Sequence, residues 1–404
     1  MFLRVVGTVV FLAMVATAVI WEKTRPTIAP THHNTAVVGA TLTREIPSLL
    51  RLTWQGYKAD EIQSDGRVVD HGRAGVSTSE GQSYALLRAA WMDDRPTFVQ
   101  VWAWTRYNLQ VRPDKLFGYL WGRRGDGRWT ILDTSSATDA DEDIALALVF
   151  AARRWRDDTY LRQARAIAQG IWRDEVVVVR GAPYLTAGSW APAYATPGPA
   201  LNPSYLAPYA YRIFAGIDPA HHWMRLVDSS YRVLAACSLS PLGSGGSVGL
   251  PPNWCAIRRA TGDVAPIKTI KQADVYGYDA FRVMWRVALD YLWNGESRAK
   301  AYLDSSAFLR RQWQRKGMLS AYTHTGAVVG LPDVPLFYGA DIGDFVVSDP
   351  AAAQTITARK LLPLFHQQDG VAYWDQRYSY YEQNWIWFGV AMVGDALPNL
   401  AAVA

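Results

Sequence analysis

Apolar residues recur along this chain at the spacing of an α-helix. From Phe281 they fall at i, i+3, i+4, i+7, i+8 and i+11, which is one face of a helix. A second stretch begins at Ile144, and similar ones occupy residues 83–92, 96–109, 159–173, 204–215, 220–235, 297–313, 353–366 and 380–393. Short breaks such as Asp157-Asp158 join them in pairs. We therefore predict an all-α fold of sequential helical hairpins: a bundle, a solenoid or a closed barrel. The lack of a fixed period argues against a solenoid.

The first 20 residues have the layout of a secretory signal peptide. Arg4 precedes an apolar run from Val5 to Ile20, and Ala16-Thr17-Ala18 offers a cleavage site after Ala18. We expect a periplasmic or secreted protein, with an uncleaved anchor as the alternative. We further expect a flexible lead-in at 21–45, a single domain at 46–395 and a C-terminal tail at 396–404.

Charge and cysteine usage exclude several classes of protein. Lys and Arg number 41 and Asp and Glu 36, a net charge of +5. The basic residues are scattered, which argues against a nucleic-acid partner. Cys237 and Cys255 are the only cysteines; an exported pair is able to form a disulfide, but spacing alone does not decide it. No zinc motif is present, so we expect no metal or other cofactor.

Three carboxylates stand where predicted helices begin: Glu80, Asp139 and Asp279. From the pattern alone the favoured interpretation is helix capping. Residues 77–80 form an S-x-x-E capping box, and residues 138–141 form its acidic variant. Asp279 would be an ordinary N-cap residue.

Abundant aromatic residues favour a second interpretation of these acids. The chain has 18 Trp and 21 Tyr. Those at helical spacing are expected to pack in the core, whereas Trp121, Trp190 and Trp254 lie in predicted loops and are candidates for stacking on sugar rings. Paired carboxylates among aromatic rings are what hydrolysis of a glycosidic bond requires.

Several segments resemble the signature of glycoside hydrolase family 8. They are S-E-G-Q-S-Y at 79–84, the acidic run from Ala137 to Trp155, N-P-S-Y-L-A-P at 202–208, Y-D-A-F-R-V at 278–283 with Trp285-Arg286, and Tyr380-Tyr381. They follow the family's order and cover residues 45–395. Within the family the chain is most similar to the periplasmic endoglucanases associated with bacterial cellulose synthesis.

The resemblance implies an (α/α)6 barrel with a substrate cleft and inverting endo-hydrolysis of β-1,4-glucan. Glu80 matches the general acid and Asp279 the general base. Asp139 matches an acid that holds the distorted sugar; this position is often labelled the nucleophile, although an inverting reaction forms no covalent intermediate. Arg282 is expected to keep Asp279 ionised. Burial or the charge of Asp139 must raise the pKa of Glu80 against the helix dipole.

The resemblance and the loop positions of the aromatic residues together give the remaining expected site residues and partners. The expected substrate-binding residues are Arg282 and the aromatic residues Tyr205, Tyr380, Tyr381, Trp121 and Trp190. A gap of about 6.5–9.5 Å is expected between the Glu80 and Asp279 carboxyls. The expected partners are a β-1,4-glucan and a cellulose synthase complex, with the chain itself a monomer. The alternatives are a chitosanase or xylanase of the same fold, and a non-catalytic glucan-binding protein.

Overall fold

Helices make up most of the regular structure in the computed structural model, which describes residues 35–242, 245–318 and 320–402. They are α1 (Thr35–Glu61), α2 (Ser79–Trp91), α3 (Arg95–Asn108), α4 (Thr138–Trp155), α5 (Asp158–Asp174), α6 (Pro208–Ile217), α7 (Trp223–Leu239), α8 (Arg282–Asn294), α9 (Ser297–Ser305), α10 (Phe308–Lys316), α11 (Pro335–Ser348), α12 (Pro350–Ile356) and α13 (Tyr380–Val393). The prediction of a mainly helical protein is confirmed.

Six of these helices contact one another in a closed order. Helix α2 packs on α4, α4 on α6, α6 on α8, α8 on α11, α11 on α13, and α13 on α2. Each also packs against a helix next to it in the chain or, for α13, against α1; the partners are α3, α5, α7, α9, α12 and α1. Helices that were predicted to pair along the chain therefore also pack against each other in the structure.

Burial separates the two sets of helices. In α2 and α4 almost every residue is buried, including polar ones, whereas α5 buries one stripe that includes Tyr160, Ala164 and Ile167. A helix that is buried all round belongs in the interior of a protein, and an amphipathic one lies at its surface.

Glycines let three of the interior helices approach closely. A side chain at Gly339 of α11 would collide with the backbone of Trp385, and one at Gly389 of α13 would collide with Gly339. A side chain at Gly343 would meet the backbone carbonyl of Met284 in α8. Because any Cβ at these positions would push helix backbones apart, glycine fixes the spacing of α8, α11 and α13.

Short antiparallel strands occupy the connections between helices. They are β1 (Ser77–Thr78), β2 (Leu120–Arg123), β3 (Trp129–Asp133), β4 (Val176–Val179), β5 (Ala182–Leu185), β6 (Ala200–Leu201), β7 (Cys255–Ile257), β8 (Val264–Ala265), β9 (Phe365–Gln368) and β10 (Val371–Trp374). They form the sheets β1-β2-β3, β4-β5, β6-β7-β8 and β9-β10. In β1-β2, Ser77 pairs with Trp121.

The structure corrects some of the predicted helix boundaries. Helix α11 lies inside residues 318–350, where the apolar periodicity predicted no helix. It is buried on most sides and contains two glycines, so it shows no one-sided pattern. The predicted helix 297–313 is two helices, α9 and α10. The predicted helix 353–366 ends early, since β9 begins at Phe365. The predicted helix 204–215 begins at Pro208, whose fixed φ suits a first helical residue.

The ends of the domain also differ from the prediction. Helix α1 begins at Thr35, so residues 35–45 of the predicted flexible lead-in are helical; further along, Ile46, Leu50 and Trp54 lie four residues apart and are buried. The predicted tail packs on the core, because the Trp293 indole donates a hydrogen bond to the Leu397 carbonyl at 2.7 Å.

The predicted signal segment 1–20 lies outside the described residues. Among the described helices, none has the length and apolar character needed to cross a bilayer.

A disulfide joins α7 to β7. Cys237 and Cys255, 18 residues apart, are bonded and both are buried. The link ties the last turn of α7 to the strand that follows Trp254, so it constrains a segment that reaches the site described below.

We predict that the double variant Cys237→Ala/Cys255→Ala has a free energy of unfolding about 3 kcal/mol lower than that of the wild type. The reason is that the unfolded chain regains the entropy of an open loop of this length. Urea unfolding without reductant measures the change. Reductant is expected to destabilise the wild type by a similar amount and to leave the double variant unchanged. Identical wild-type curves with and without reductant would contradict the prediction.

Candidate active site

Glu80 is the second residue of α2, but it does not cap that helix. The N-cap is Thr78, whose hydroxyl accepts a hydrogen bond from the backbone N–H of Gly81 at 3.0 Å. The capping box expected at 77–80 is therefore wrong, and the Glu80 carboxylate is free to point elsewhere.

The other two carboxylates are not caps either. In α4, Asp141 accepts a hydrogen bond from the backbone of Phe117 at 2.9 Å and so does not close a box with Thr138. Before α8, the side chain of Asn253 accepts hydrogen bonds from the backbone N–H groups of Asp279 and Ala280 at 3.2 and 3.0 Å. Asp279 is therefore not the N-cap of α8, whose N-cap position is Phe281 and has no side-chain cap; a distant loop instead binds the backbone of the turn before that helix.

All three carboxylates instead meet at one guanidinium. Nη1 of Arg282 donates to Glu80 Oε2 at 2.9 Å and to Asp139 Oδ2 at 2.8 Å, and its Nη2 donates to Asp279 Oδ1 at 3.0 Å. Charge-assisted bonds of this kind are short and directional, and the planar guanidinium fixes their relative geometry. The starts of α2, α4 and α8 are therefore tied together at one point.

Exposure divides the four charged groups into two layers. The side chains of Arg282 and Asp139 are 1% and 3% exposed, whereas those of Glu80 and Asp279 are 13% and 19% exposed. Arg282 and Asp139 thus form the floor of the site, and Glu80 and Asp279 are the groups that a ligand can reach.

The shared guanidinium also limits the distance between the two reachable carboxylates. Since both terminal nitrogens of Arg282 belong to one rigid fork, oxygens of Glu80 and Asp279 lie within about 8 Å of each other. That upper bound is compatible with the gap of roughly 6.5–9.5 Å that leaves room for a water molecule.

Burial raises the pKa of Glu80 from its ordinary value of 4.5 to about 7. The positive charge of Arg282 opposes this rise, and the negative charge of Asp139 adds to it. One guanidinium does not neutralise three carboxylates, so keeping a proton on Glu80 relieves the excess negative charge near neutral pH.

Burial also raises the pKa of Asp279, with the charge of Arg282 opposing the rise. Asp139 adds to the increase, whereas the side chains of Asn202 and Trp254 lower it. The expectation that Arg282 favours the ionised form of Asp279 agrees with the direction of this effect, although burial dominates the net shift.

The predicted tyrosines surround the charged cluster in different ways. The hydroxyl of Tyr380, the first residue of α13, donates to Glu80 Oε1 at 2.9 Å. The ring centre of Tyr205 lies 5.2 Å from the Arg282 guanidinium carbon. Tyr381 donates its hydroxyl to a backbone carbonyl of the turn before α8 at 2.9 Å. Tyr380 and Tyr205 thus contact the cluster directly, and Tyr381 braces the turn that carries the base candidate.

Trp190 reaches the site through a neighbouring ring. Its centre lies 6.1 Å from that of Trp254, which lies 6.2 Å from Tyr205. Trp190 is 38% exposed. The three rings form a line that starts beside Arg282 and ends at the surface.

Trp121 lies apart from that line. It belongs to β2, and its ring stacks on Trp129 with centres 4.9 Å apart while meeting the edge of Trp104 at 5.2 Å. One face of Trp121 is therefore covered by protein, and Trp129, which is 45% exposed, is the outer ring of this stack.

The residues that the sequence analysis missed lie in the 251–254 loop. Asn253 was not singled out, and Trp254 was expected only to stack. In the structure the Trp254 indole N–H donates to Asp279 Oδ2 at 3.2 Å. No local signal links residues 253–254 to position 279, because the contact depends on the tertiary fold. Within the described part of the chain, no group of His, Cys, Asp and Glu is arranged to hold a metal ion.

Comparison with known proteins identifies the family. The model of "Glycosyl hydrolases family 8" matches residues 34–325. The chain belongs to this glycoside hydrolase family.

The chain is also similar to individual curated relatives. It is 37% identical over 254 residues to an endoglucanase of Xanthomonas axonopodis pv. citri, a match covering 60% of this chain and 59% of that protein. It is 32% identical over 240 residues to a probable endoglucanase of Novacetimonas hansenii, covering 59% and 66%. The matches thus span about three fifths of the length of the first of these relatives and about two thirds of the second.

Solved structures cover more of the chain. The endo-1,4-D-glucanase of Vibrio fischeri aligns with a TM-score of 0.70 and 26% identity, over 84% of this chain and 94% of that one. The endo-β-1,4-glucanase CMCax of Acetobacter xylinum aligns with a TM-score of 0.66 and 23% identity, over 85% and 98%; at that identity it speaks for the fold alone.

We predict that Arg282→Gln lowers the free energy of unfolding by about 3–5 kcal/mol at pH 7.5, because buried carboxylates lose their counter-charge. At pH 5 the loss is expected to be smaller. Arg282 lowers the pKa of Glu80, so without Arg282 that pKa lies above 7 and Glu80 is neutral at pH 5. Urea unfolding at the two pH values measures both effects.

Arg298 provides a matched control for this experiment. It also binds two carboxylates, Asp228 at 2.8 Å and Glu296 at 2.9 Å, but its side chain is 42% exposed. Arg298→Gln is expected to cost at most about 1 kcal/mol. An equal cost for Arg282→Gln at both pH values would show that carboxylate charge is not what Arg282 compensates.

Proposed function

We propose that the protein is an inverting endo-β-1,4-glucanase. The observation that carries this proposal is the convergence of Glu80, Asp139 and Asp279 on Arg282, with Glu80 and Asp279 the more exposed pair. Membership of glycoside hydrolase family 8 and the names of the curated relatives support the substrate class.

Glu80 acts as the general acid that protonates the leaving glycosidic oxygen. A general acid has to hold a proton at the working pH, and burial raises the pKa of Glu80 to about 7. The hydroxyl of Tyr380 orients its second oxygen.

Asp279 acts as the general base that removes a proton from the attacking water. Inversion requires this water to enter from the face of the sugar opposite the leaving group, in the gap between the two carboxylates. Arg282 keeps Asp279 ionised by donating to one of its oxygens.

Asp139 holds the sugar at the cleavage point rather than attacking it. Its Oδ1 accepts a hydrogen bond from its neighbour's backbone N–H at 2.9 Å and its Oδ2 is bound by Arg282, so the side chain is fixed in the floor of the site. Tyr205 and Tyr381 border the reacting sugar. Trp190, and the stack that contains Trp121, supply flat surfaces for glucose units further along the chain.

We also propose that the helices form an (α/α)6 barrel. The closed order of contacts among α2, α4, α6, α8, α11 and α13, each with an outer partner, supports this arrangement. Helix α1 is one of the outer helices of this single domain. We further propose export guided by residues 1–20 to the periplasm or the medium, where the enzyme acts on glucan made by a cellulose synthase complex.

Hydrolysis of a defined cello-oligosaccharide, followed by NMR of the anomeric protons, tests the proposal. Wild-type protein is expected to release products that are α-anomers at first, because one displacement inverts the β-linkage. Chitosan and xylan oligomers, tested in parallel, are expected to be cleaved poorly. Products that are β-anomers at first, or no cleavage of cello-oligosaccharides, would refute the assignment.

We predict that Glu80→Gln lowers kcat by about a thousandfold, because a positioned proton donor contributes 10²–10⁴. Binding of the cello-oligosaccharide, measured by calorimetry, is expected to change little because glutamine has the same shape. Wild-type turnover by this variant would remove Glu80 from the role of the acid.

We predict a bell-shaped dependence of kcat/KM on pH for a neutral oligosaccharide. The rate falls as pH rises through about 7, where Glu80 loses its proton, and it falls at low pH when Asp279 becomes protonated. Because the pKa of Asp279 is raised, the acidic limb lies above the ordinary aspartate value of 3.8. A rate that stays constant from pH 6 to pH 9 would contradict the assignment of Glu80.

A further inference from the structure

The second oxygen of the proposed base has its own hydrogen-bond donor. Arg282 binds Asp279 Oδ1 at 3.0 Å, and the indole N–H of Trp254 donates to Oδ2 at 3.2 Å. The two donors come from different parts of the fold and approach different oxygens. Rotation of the carboxylate about its χ2 bond would therefore break at least one of these bonds.

The segment that carries Trp254 also holds the backbone of Asp279. The side-chain oxygen of Asn253 accepts hydrogen bonds from the backbone N–H groups of Asp279 and Ala280 at 3.2 and 3.0 Å. Two consecutive residues thus fix both the main chain and the carboxylate of the base. The Asn253 side-chain oxygen and the Trp254 indole N–H therefore both bind Asp279.

Trp254 is itself well anchored. Its backbone N–H donates to the Ala273 carbonyl at 2.8 Å, and its ring lies between those of Trp190 and Tyr205. The next residue, Cys255, pairs with β6 and is bonded to α7 through the disulfide. The direction of the indole N–H is therefore set by the fold before any substrate arrives.

We propose that Trp254 is a positioning residue for the general base, an inference that rests on the proposed function. Its indole N–H occupies one lone pair of Asp279 Oδ2. The carboxylate is thereby held with its remaining lone pairs directed towards the attacking water. A donor to the ionised carboxylate also favours that form, and so extends the activity of the base to lower pH. Stacking on sugar is a separate property of the ring face and does not require the N–H.

Trp254→Phe tests the inference because it keeps an aromatic ring and removes the donor. The expected result is a fall in kcat of about tenfold, since hydrogen bonds to charged groups are among the stronger ones, with KM changed by less than about twofold. The acidic limb of the pH profile of kcat/KM is expected to move to higher pH, because Asp279 loses a group that lowers its pKa.

Trp102→Phe is the matched control. Its indole N–H also makes one hydrogen bond to a side chain, to Gln163 at 3.1 Å, but it joins α3 to α5 away from the site. Its kcat, KM and pH profile are expected to match those of the wild type. A rise in KM alone for Trp254→Phe, or wild-type kcat with an unmoved acidic limb, would overturn the inference by showing that only the ring matters.

Asp279→Asn separates failure of this inference from failure of the proposed function. If that variant is inactive while Trp254→Phe behaves like the wild type, only the inference fails. If Asp279→Asn retains wild-type turnover, the assignment of the base fails and the proposed mechanism fails with it.

A measurement on the folded wild-type protein covers the case in which Trp254→Phe does not fold. With ¹⁵N-labelled tryptophan, the Trp254 indole resonance is expected to titrate at the pH of the acidic limb, and this titration is expected to vanish in Asp279→Asn. A Trp254 resonance that does not respond to pH over that range would also overturn the inference.

Discussion

The site depends on one buried arginine that binds three carboxylates. Arg282 carries a single positive charge against three carboxylates, so a proton taken up by one of them reduces the excess negative charge of the cluster. Burying such a group is favourable only with close pairing, and the bonds at 2.8–3.0 Å provide it. Burial first, and then the uncompensated charge of Asp139, raise the pKa of Glu80 and leave a proton on it near neutral pH. The burial and ion pairing that hold the Arg282 cluster together therefore also set the protonation state of Glu80.

A second ion pair lies one helical turn below and supports the first. Arg286 binds Asp143 through two hydrogen bonds of 3.1 and 2.8 Å, and both residues are four positions beyond their counterparts Arg282 and Asp139. Helices α4 and α8 are thus joined at two successive turns. A single contact would let α4 and α8 rotate relative to each other, whereas two contacts fix their orientation. The Arg286–Asp143 pair therefore sets the angle at which the Arg282 cluster is held.

Part of the fold and of the site could be predicted from the sequence, and the rest could not, for physical reasons. Amphipathic helices such as α5 were found because burial on one side leaves a period, whereas α11 was missed because burial on most sides removes it. Glu80, Asp139 and Asp279 were picked out by their motifs, yet the local pattern favoured capping. In the structure Thr78 caps α2 and Asn253 binds the turn before α8. Only the tertiary fold brings the three acids together at Arg282, up to 202 residues away in the chain.

The bond between Tyr380 and Glu80 joins residues 300 positions apart, and α13, which begins at Tyr380, closes the order of interior helices. Because synthesis proceeds from the N-terminus, the ribosome makes Glu80 early and Tyr380 late. The hydrogen bond between Tyr380 and Glu80 therefore forms only after the last interior helix has been made and has docked. Completion of the contact between Glu80 and Tyr380 is thus coupled to docking of the last interior helix.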